Sequence, residues 1–206
     1  LPNVPDVKDY RTLNIDCFIE TGDDLFVIAQ IKDIITRKFP TINCTLKILS
    51  TPYTRYDRVM FENGSDGFGA KCFATLLNSL EFDSVMFLDS HSEVMTNLVN
   101  NSFSLDQEIL ILETVDYLDC YNVIAPDKGS LKKISNPNLV FEKVRNTETG
   151  VISGVELVET VNIKPSNKYI ILDDICEGGR TFIEVAKSFF NHEISDKAKL
   201  DLYITH

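Results

Sequence analysis

The sequence predicts an α/β protein built from two doubly wound, mainly parallel-sheet halves. Short apolar runs of strand length alternate with segments of helical periodicity, a pattern typical of parallel sheets that are covered on both faces. The alternation is interrupted by a polar, loop-like stretch at residues 97–104 and then restarts. We therefore expect two domains, with residues 1–104 in the first domain and residues 105–206 in the second.

In the first half, the pattern predicts three strands and two helices. The strands are expected at 13–20, 46–49 and 85–88. Thr21-Gly22-Asp23-Asp24 is typical of a helix N-terminus and opens a helix that continues to Lys38. The second helix is expected over 70–80, with these residues on its apolar side: Phe73, Ala74, Leu77 and Leu80.

In the second half, a helix is expected at 106–117 and strands are expected at 121–125, 139–143, 169–172 and from Leu200 onwards. A further helix follows Gly178-Gly179 and carries apolar residues at helical spacing, namely Phe182, Val185, Ala186 and Phe189. The chain begins at Leu1 rather than at a methionine, so we expect a trimmed N-terminus. It ends at His206, in what reads as the middle of a strand.

Composition and charge argue against several classes of partner. The net charge is −11 and the basic residues form no stripe, which argues against nucleic acid as a partner. No apolar run has the length of a membrane span, and no signal segment opens the chain, so we expect no membrane partner. The five cysteines are far apart and form no CxxC pair, which favours reduced thiols in a cytoplasmic protein.

The stretch from Tyr169 to Thr181 carries the clearest chemical signal. A short apolar strand ends on Asp173 and Asp174, and Gly178-Gly179 then leads into a helix. Backbone N–H groups at such a helix N-terminus favour a phosphate. The two carboxylates beside it suit the hydroxyls of a ribose or a magnesium ion.

Other predicted strands also end on polar side chains. Ligands of open α/β sheets lie beyond the carboxyl ends of the strands, so these residues are candidates for one binding region. They are Arg55, Arg58, Asp89, His91, Asp127, Lys143, Arg145, Asp173 and Asp174. Each residue alone can be explained as part of a turn or as a solvated charge. Their joint occurrence in this order favours a functional site.

That order resembles the phosphoribosyl-diphosphate (PRPP) synthetases, also called ribose-phosphate diphosphokinases. Five short motifs, which together cover roughly residues 45 to 206, follow one another as they do in that family. They are Pro52-Tyr-Thr-Arg-Tyr-Asp-Arg58, Asp89-Ser-His91, Pro126-Asp-Lys-Gly129, Lys143-Val-Arg145 and the loop from Asp173 to Thr181. The resemblance implies two domains of type I phosphoribosyltransferase-like topology, with the nucleotide side in the first and the ribose-phosphate side in the second.

The resemblance also implies roles for single residues. On the nucleotide side, ATP binding is implied for Arg55, Tyr56, Asp57, Arg58 and His91. Mg²⁺ is the implied cofactor, with His91 and Asp127 near it. A flexible loop with Lys143 and Arg145 is implied to clamp the transferring diphosphoryl group. The implied ribose-phosphate-binding residues are Asp173, Asp174, Glu177, Gly178, Gly179, Arg180 and Thr181.

The last loop departs from the family pattern. Glu177 keeps the acidic fifth position, but Gly178 stands where the family has a threonine and Arg180 stands where it has a glycine. Tyr56 stands where the family often has a glutamine. An arginine can bind phosphate in bidentate fashion. The altered loop is also compatible with a phosphodiester, as in ADP-ribose.

The resemblance therefore implies Mg²⁺-dependent transfer of the β,γ-diphosphoryl group of ATP to ribose 5-phosphate, giving PRPP and AMP. The same transfer to ADP-ribose, as part of NAD metabolism, is an alternative. A phosphoribosyltransferase is a further alternative, although that family shares with this chain only the 169–181 motif. The last alternative is a non-catalytic paralogue that regulates a partner synthetase. By analogy with the family we expect a homo-oligomer.

Overall fold

The structure is a computed structural model, and it describes residues 10–61, 64–114, 118–145, 152–192 and 197–206. It confirms the α/β fold class with mainly parallel sheets. The chain divides into two compact units, Leu1–Asp106 and Gln107–His206. Each unit has its own sheet and its own buried apolar residues.

The first unit contains a four-stranded sheet in the order β1-β2-β3-β4, in which every neighbouring pair is parallel. Its strands are β1 (Thr12–Phe18), β2 (Asn43–Ser50), β3 (Ser84–Leu88) and β4 (Ser102–Leu105). Its helices are α1 (Gly22–Lys38), α2 (Gly69–Asn78) and α3 (Glu93–Leu98).

Helix α1 begins where the sequence predicts it, at a complete capping box. The hydroxyl of Thr21 accepts a hydrogen bond from the backbone N–H of Asp24, and the Asp24 carboxylate accepts one from the N–H of Thr21. These bonds satisfy two backbone donors that a helix otherwise leaves unpaired at its first turn. Ile28 and Ile35 are the buried residues of the helix, and they join the core of the first unit.

The expectation of a polar loop at residues 97–104 is wrong. The segment completes α3 and forms most of the edge strand β4, in which Ser102 pairs with Val85 and Leu105 pairs with Leu88. The Ser102 hydroxyl lies within hydrogen-bond distance of the carbonyl oxygens of Thr96 and Val99, at 3.0 and 2.9 Å, and its one hydrogen can be donated to either of them. An edge strand needs one neighbour to pair its backbone, so it can form without an apolar run.

The second unit contains a five-stranded sheet in the order β7-β6-β5-β8-β9. Its strands are β5 (Asn122–Ala125), β6 (Leu139–Arg145), β7 (Ile152–Thr160), β8 (Lys168–Asp173) and β9 (Lys199–Ile204). The pair β6–β7 is antiparallel and the other pairs are parallel. Helices α4 (Gln107–Thr114) and α5 (Arg180–Asn191) and two short 3₁₀ helices, Leu118–Cys120 and Ser130–Lys132, complete the unit.

Strand β7 has no counterpart among the predicted strands. It lies at the edge of the sheet, where Val155 is buried while Glu156 is exposed. A strand with one buried face alternates apolar and polar residues, so it lacks the continuous apolar run that marks a strand covered on both faces.

No helix in the described part of the chain is long and apolar enough to cross a membrane.

Candidate functional site

The carboxyl edge of the second sheet brings together side chains from three neighbouring strands. Strand β5 lies between β6 and β8 and is parallel to both. The carboxyl ends of β5 and β8 therefore meet at one edge, where Asp127 follows β5 and Asp173 ends β8. Strand β6 continues beyond its pairing with Ala125 and carries Lys143 to the same edge.

Asp127 is held by a lysine and by its own turn. Its Oδ2 lies 2.6 Å from Lys143 Nζ, and both side chains are about three-quarters buried. Its Oδ1 accepts the backbone N–H of Ser130 at 3.1 Å. Burial raises the pKa of Asp127, but the hydrogen bond and charge of Lys143, together with the N–H groups of Ser130 and Gly129, outweigh it and lower the pKa overall. Asp127 is therefore held as a carboxylate.

Gly129 has a steric reason to be glycine. A Cβ at this position would lie 3.0 Å from Oδ1 of Asp127. This is tighter than an ordinary contact, so a side chain at residue 129 would require the Asp127 carboxylate to shift by a few tenths of an ångström. The predicted Pro126-Asp-Lys-Gly129 motif thus has a local structural explanation.

Asp173 is in a different electrostatic environment. Its pKa is raised to about 6, mainly by burial and also by the charges of Asp174 and Asp127, while the N–H of Asp174, which donates to its Oδ1 at 3.0 Å, acts in the opposite direction. Asp173 thus changes its charge close to neutral pH. Its backbone carbonyl accepts a hydrogen bond from the side chain of Gln107, the buried first residue of α4.

Asp174 points into the protein and is only 6% exposed. Its Oδ2 lies 2.7 Å from Nζ of Lys133, which follows the 3₁₀ helix Ser130–Lys132. Lys133 is not among the predicted site residues, because no motif marks a lysine six residues after Asp127. The two aspartates predicted to act alike are therefore in different settings, one half-buried and one buried in an ion pair.

The loop after β8 has the form that the sequence predicts. Gly179 has φ of 71°, in the left-handed region that favours glycine, and it is the residue before α5. Phe182, Val185 and Phe189 bury one face of α5, which fixes the helix N-terminus beside the end of β8. Gly178 and Arg180 are exposed, and a Cβ at Gly178 would meet nothing within 4 Å. Backbone donors and an arginine at this end of a helix can hold an anion.

The expectation that Lys143 and Arg145 lie on a flexible loop is wrong for these two residues. Both belong to β6, where Lys143 pairs with Val155 and Arg145 pairs with Ile152 of β7. The reason is the unpredicted strand β7, whose backbone extends the ladder as far as Arg145. Residues 146–150, the rest of the expected loop, lie outside the described residues.

The predicted nucleotide-side residues belong to the first unit. Arg55, Tyr56, Asp57 and Arg58 follow β2, and His91 follows β3. Because β2 and β3 are parallel neighbours, both motifs leave the sheet at its carboxyl edge. Tyr56 is 63% exposed, and Nε of Arg58 lies 3.3 Å from Oδ1 of Asp57.

One residue in each of these motifs has a positive φ, in the left-handed region. Tyr53 has φ of 62°, and Asp89, which is 1% exposed, has φ of 42°. Such strain is common where side chains must be aimed at a ligand. Tyr53 also lines an apolar pocket of about 280 Å³, together with Ile19, Thr21, Gly22, Leu25, Pro52, Gly69, Cys72, Phe73 and Leu76.

The two predicted metal ligands are not in the same unit, since His91 belongs to the first and Asp127 to the second. Within the described ranges, no group of three His, Cys, Asp or Glu side chains is placed to hold a metal ion. Mg²⁺ in phosphoryl-transfer sites is usually held by one or two carboxylates and the substrate phosphates. Asp127 and Asp173 lie at the carboxyl ends of neighbouring strands and are ligands of the type that such a site uses.

Comparison with known proteins agrees with this arrangement at the level of the fold. The structure is similar to the crystal structure of phosphoribosylpyrophosphate synthetase from Mycobacterium smegmatis, with a TM-score of 0.64 and 18% sequence identity. The similarity covers 94% of this chain and 62% of that protein. No family model and no curated protein matches the sequence. The chain therefore has a phosphoribosylpyrophosphate synthetase-like fold and spans about 62% of the length of that synthetase.

Proposed function

We propose that this chain transfers the β,γ-diphosphoryl group of ATP to the anomeric hydroxyl of ribose 5-phosphate, giving PRPP and AMP. The observation that carries the proposal is the cluster at the carboxyl edge of the second sheet. Lys143 contacts Asp127 there, Asp173 lies beside them, and a glycine turn leads into α5. These are the groups that diphosphoryl transfer to a sugar phosphate requires: a cation for the transferring oxygens, carboxylates for metal and hydroxyls, and an anion site.

The acceptor would bind at the end of β8. Its 5′-phosphate would lie at the N-terminus of α5, contacted by backbone N–H groups of the loop 177–181 and by Arg180. Asp173, half-buried and next to this loop, would accept hydrogen bonds from ribose hydroxyls and orient O1 toward the donor. In this assignment Asp174 supports the site from inside, because its carboxylate is buried against Lys133.

Lys143 would neutralise the oxygens of the transferring group, and Arg145 would act with it. The acceptor hydroxyl attacks the β-phosphorus, the bond from that phosphorus to the α-phosphate oxygen breaks, and AMP leaves. The proton of the acceptor hydroxyl is released to solvent or to a nearby carboxylate. Phosphoryl transfer depends mainly on alignment and charge compensation, so the reaction needs no nucleophilic side chain.

On the nucleotide side, we assign ATP contacts to Arg55, Tyr56, Asp57, Arg58 and His91. Asp127 would hold Mg²⁺ on the ribose-phosphate side, and His91 would contact the nucleotide in the first unit. When bound, the ion supplies charge neutralisation of phosphate oxygens and polarises the phosphorus. The assembly of the protein into a homo-oligomer remains part of this proposal, by analogy with the family.

A second candidate has the same chemistry but uses ADP-ribose as the acceptor. The observation that favours it is the open loop at Gly178, where even an added Cβ meets no atom within 4 Å, next to the exposed Arg180. The 5′-phosphate of ADP-ribose carries a further substituent, so it needs such open space. An arginine can contact the additional phosphate.

The experiment is AMP release from Mg-ATP with ribose 5-phosphate and ADP-ribose offered in parallel. Activity with ribose 5-phosphate supports the first proposal, and activity with ADP-ribose alone supports the second. Silence with both acceptors would contradict both and favour a phosphoribosyltransferase or a regulatory paralogue. Arg180→Met distinguishes the two acceptors. The loss of AMP release should be larger with the acceptor whose phosphates the arginine contacts.

A further inference from the structure

We propose that Lys133 is a positioning residue for the acceptor site: it holds the buried Asp174 carboxylate and so fixes the strand end that carries Asp173. The inference deepens the proposed function and rests on it. Lys133 belongs to none of the five sequence motifs, and no role in the transfer follows from its position in the sequence.

The contact between Lys133 and Asp174 is short and shielded from solvent. The two charged atoms are 2.7 Å apart, and the side chains are 21% and 8% exposed. A carboxylate this buried needs a charged or hydrogen-bonding partner, because isolated charge is strongly disfavoured away from water. Lys133 supplies that partner from the turn that follows β5, whereas Asp174 follows β8.

Lys133 is itself fixed with respect to Asp127. The backbone N–H of Lys133 donates to the carbonyl of Ser130 at 3.0 Å. Ser130 in turn donates its N–H to Oδ1 of Asp127 and its hydroxyl to the Asp127 carbonyl, at 3.1 and 2.6 Å. The turn from Asp127 to Lys133 is therefore one hydrogen-bonded unit, and the ion pair joins it to the residue after Asp173.

The backbone of Asp174 is also hydrogen-bonded. Its backbone N–H donates to Oδ1 of Asp173 at 3.0 Å, and its carbonyl accepts the N–H of His206 at 2.9 Å. Asp174 thus links three parts of the unit: the Asp127 turn, the Asp173 side chain and the segment after β9. Loss of the lysine leaves the buried carboxylate without the ammonium contact and lets it reorganise, which moves the Asp173 oxygens that would contact ribose hydroxyls.

The test compares Lys133→Met with Lys133→Arg and with Lys132→Met, an exposed lysine in the same turn. Two quantities are measured for each: the dissociation constant of ribose 5-phosphate by calorimetry, without ATP, and the separate KM values for ribose 5-phosphate and Mg-ATP. For Lys133→Met we expect the acceptor constants to rise by about tenfold or more, with the Mg-ATP KM within about twofold. Lys133→Arg should recover part of the loss, and Lys132→Met should match the wild type.

A double variant distinguishes a positioning role of Lys133 from a role in folding alone. If Lys133 acts through Asp174, Lys133→Met combined with Asp174→Asn should weaken acceptor binding no more than the larger single change does. A purely structural role predicts a smaller active fraction, with both KM values unchanged, and would overturn the inference. So would fully additive losses in the double variant.

The wild type distinguishes failure of the inference from failure of the proposed function. If wild-type protein binds and converts ribose 5-phosphate while Lys133→Met behaves like it, only the role of Lys133 is wrong. If the wild type neither binds nor converts ribose 5-phosphate, the proposed acceptor is wrong and the positioning role for it falls as well. Binding and conversion of ribose 5-phosphate with the acceptor-specific loss in Lys133→Met supports both.

Discussion

Nζ of Lys143 and Oδ2 of Asp127 are 2.6 Å apart, so two residues with different proposed ligands hold each other in this structure. Lys143 is assigned to the transferring phosphate oxygens and Asp127 to Mg²⁺. If the proposed function holds, binding of the nucleotide complex would exchange these partners: Asp127 would contact the metal ion in place of the ammonium, and Lys143 would contact phosphate in place of the carboxylate.

Lys143→Met tests this exchange. Loss of the cation should lower turnover by about two orders of magnitude or more, while the affinity for the nucleotide changes little. Binding of Mn²⁺ without substrates should become roughly tenfold tighter, because Asp127 no longer has a competing ammonium. The measurements are AMP release and Mn²⁺ titration by electron paramagnetic resonance. Lys128→Met is the matched control, since this lysine lies in the same region but pairs with Glu142 and is 62% exposed. Near-normal turnover in Lys143→Met would remove the residue from the reaction.

Asp173→Asn tests the raised pKa of this carboxyl. The native pKa is about 6, against about 3.9 in an unfolded chain, so the folded state binds more protons between these values. The stability that Asp173 contributes is present below the unfolded value and is lost as the pH rises through about 6. We therefore expect the free energy of unfolding of the variant, relative to wild type, to increase between about pH 4 and pH 7. Urea unfolding in the presence of a chelator measures it. A difference that does not vary with pH would contradict the assignment.

Gly179→Ala tests the left-handed turn before α5. A Cβ at φ of 71° is disfavoured, so the variant should lose about 1 kcal/mol of unfolding free energy. Gly178→Ala is the matched control in the same loop, because its φ is not in the left-handed region and its Cβ would meet nothing within 4 Å. Its unfolding free energy should stay within about 0.5 kcal/mol of wild type. Equal losses in the two variants would show that the backbone angle is not the cause. Chemical denaturation gives both values.

Asn122→Ala tests a buried amide that holds the connection between β7 and β8. Asn122 is fully buried; its Oδ1 accepts the N–H of Lys164 at 2.7 Å, and its Nδ2 donates to the carbonyl of Ser166 at 3.2 Å. Truncation leaves these backbone groups unpaired and should cost about 1–3 kcal/mol of unfolding free energy. Asn167→Ala removes an exposed hydrogen bond to Lys197 and should cost no more than about 0.5 kcal/mol. Comparable losses in both variants would contradict this explanation.

The sequence predicted the features that depend on local pattern. The capped start of α1, the glycine turn into α5 and the apolar strands at the centre of each sheet follow from spacing and residue type, because helix caps and strands covered on both faces have short-range signatures. Strand β4 and strand β7 were missed for one reason. Each lacks a continuous apolar run: β4 has two serines among its four residues, and β7 alternates buried Val155 with exposed Glu156.

The sequence by itself determined which polar side chains end the strands, and therefore which residues are candidates for the site. Only the tertiary structure decided how they pair. The strand order β7-β6-β5-β8-β9 places Lys143 against Asp127 and Lys133 against Asp174, although these partners are 16 and 41 residues apart in the chain. Burial then separates two adjacent aspartates, raising the pKa of Asp173 to about 6 and enclosing Asp174. Pairing and burial depend on which strands become neighbours, and that is fixed by packing of the whole sheet rather than by any local motif.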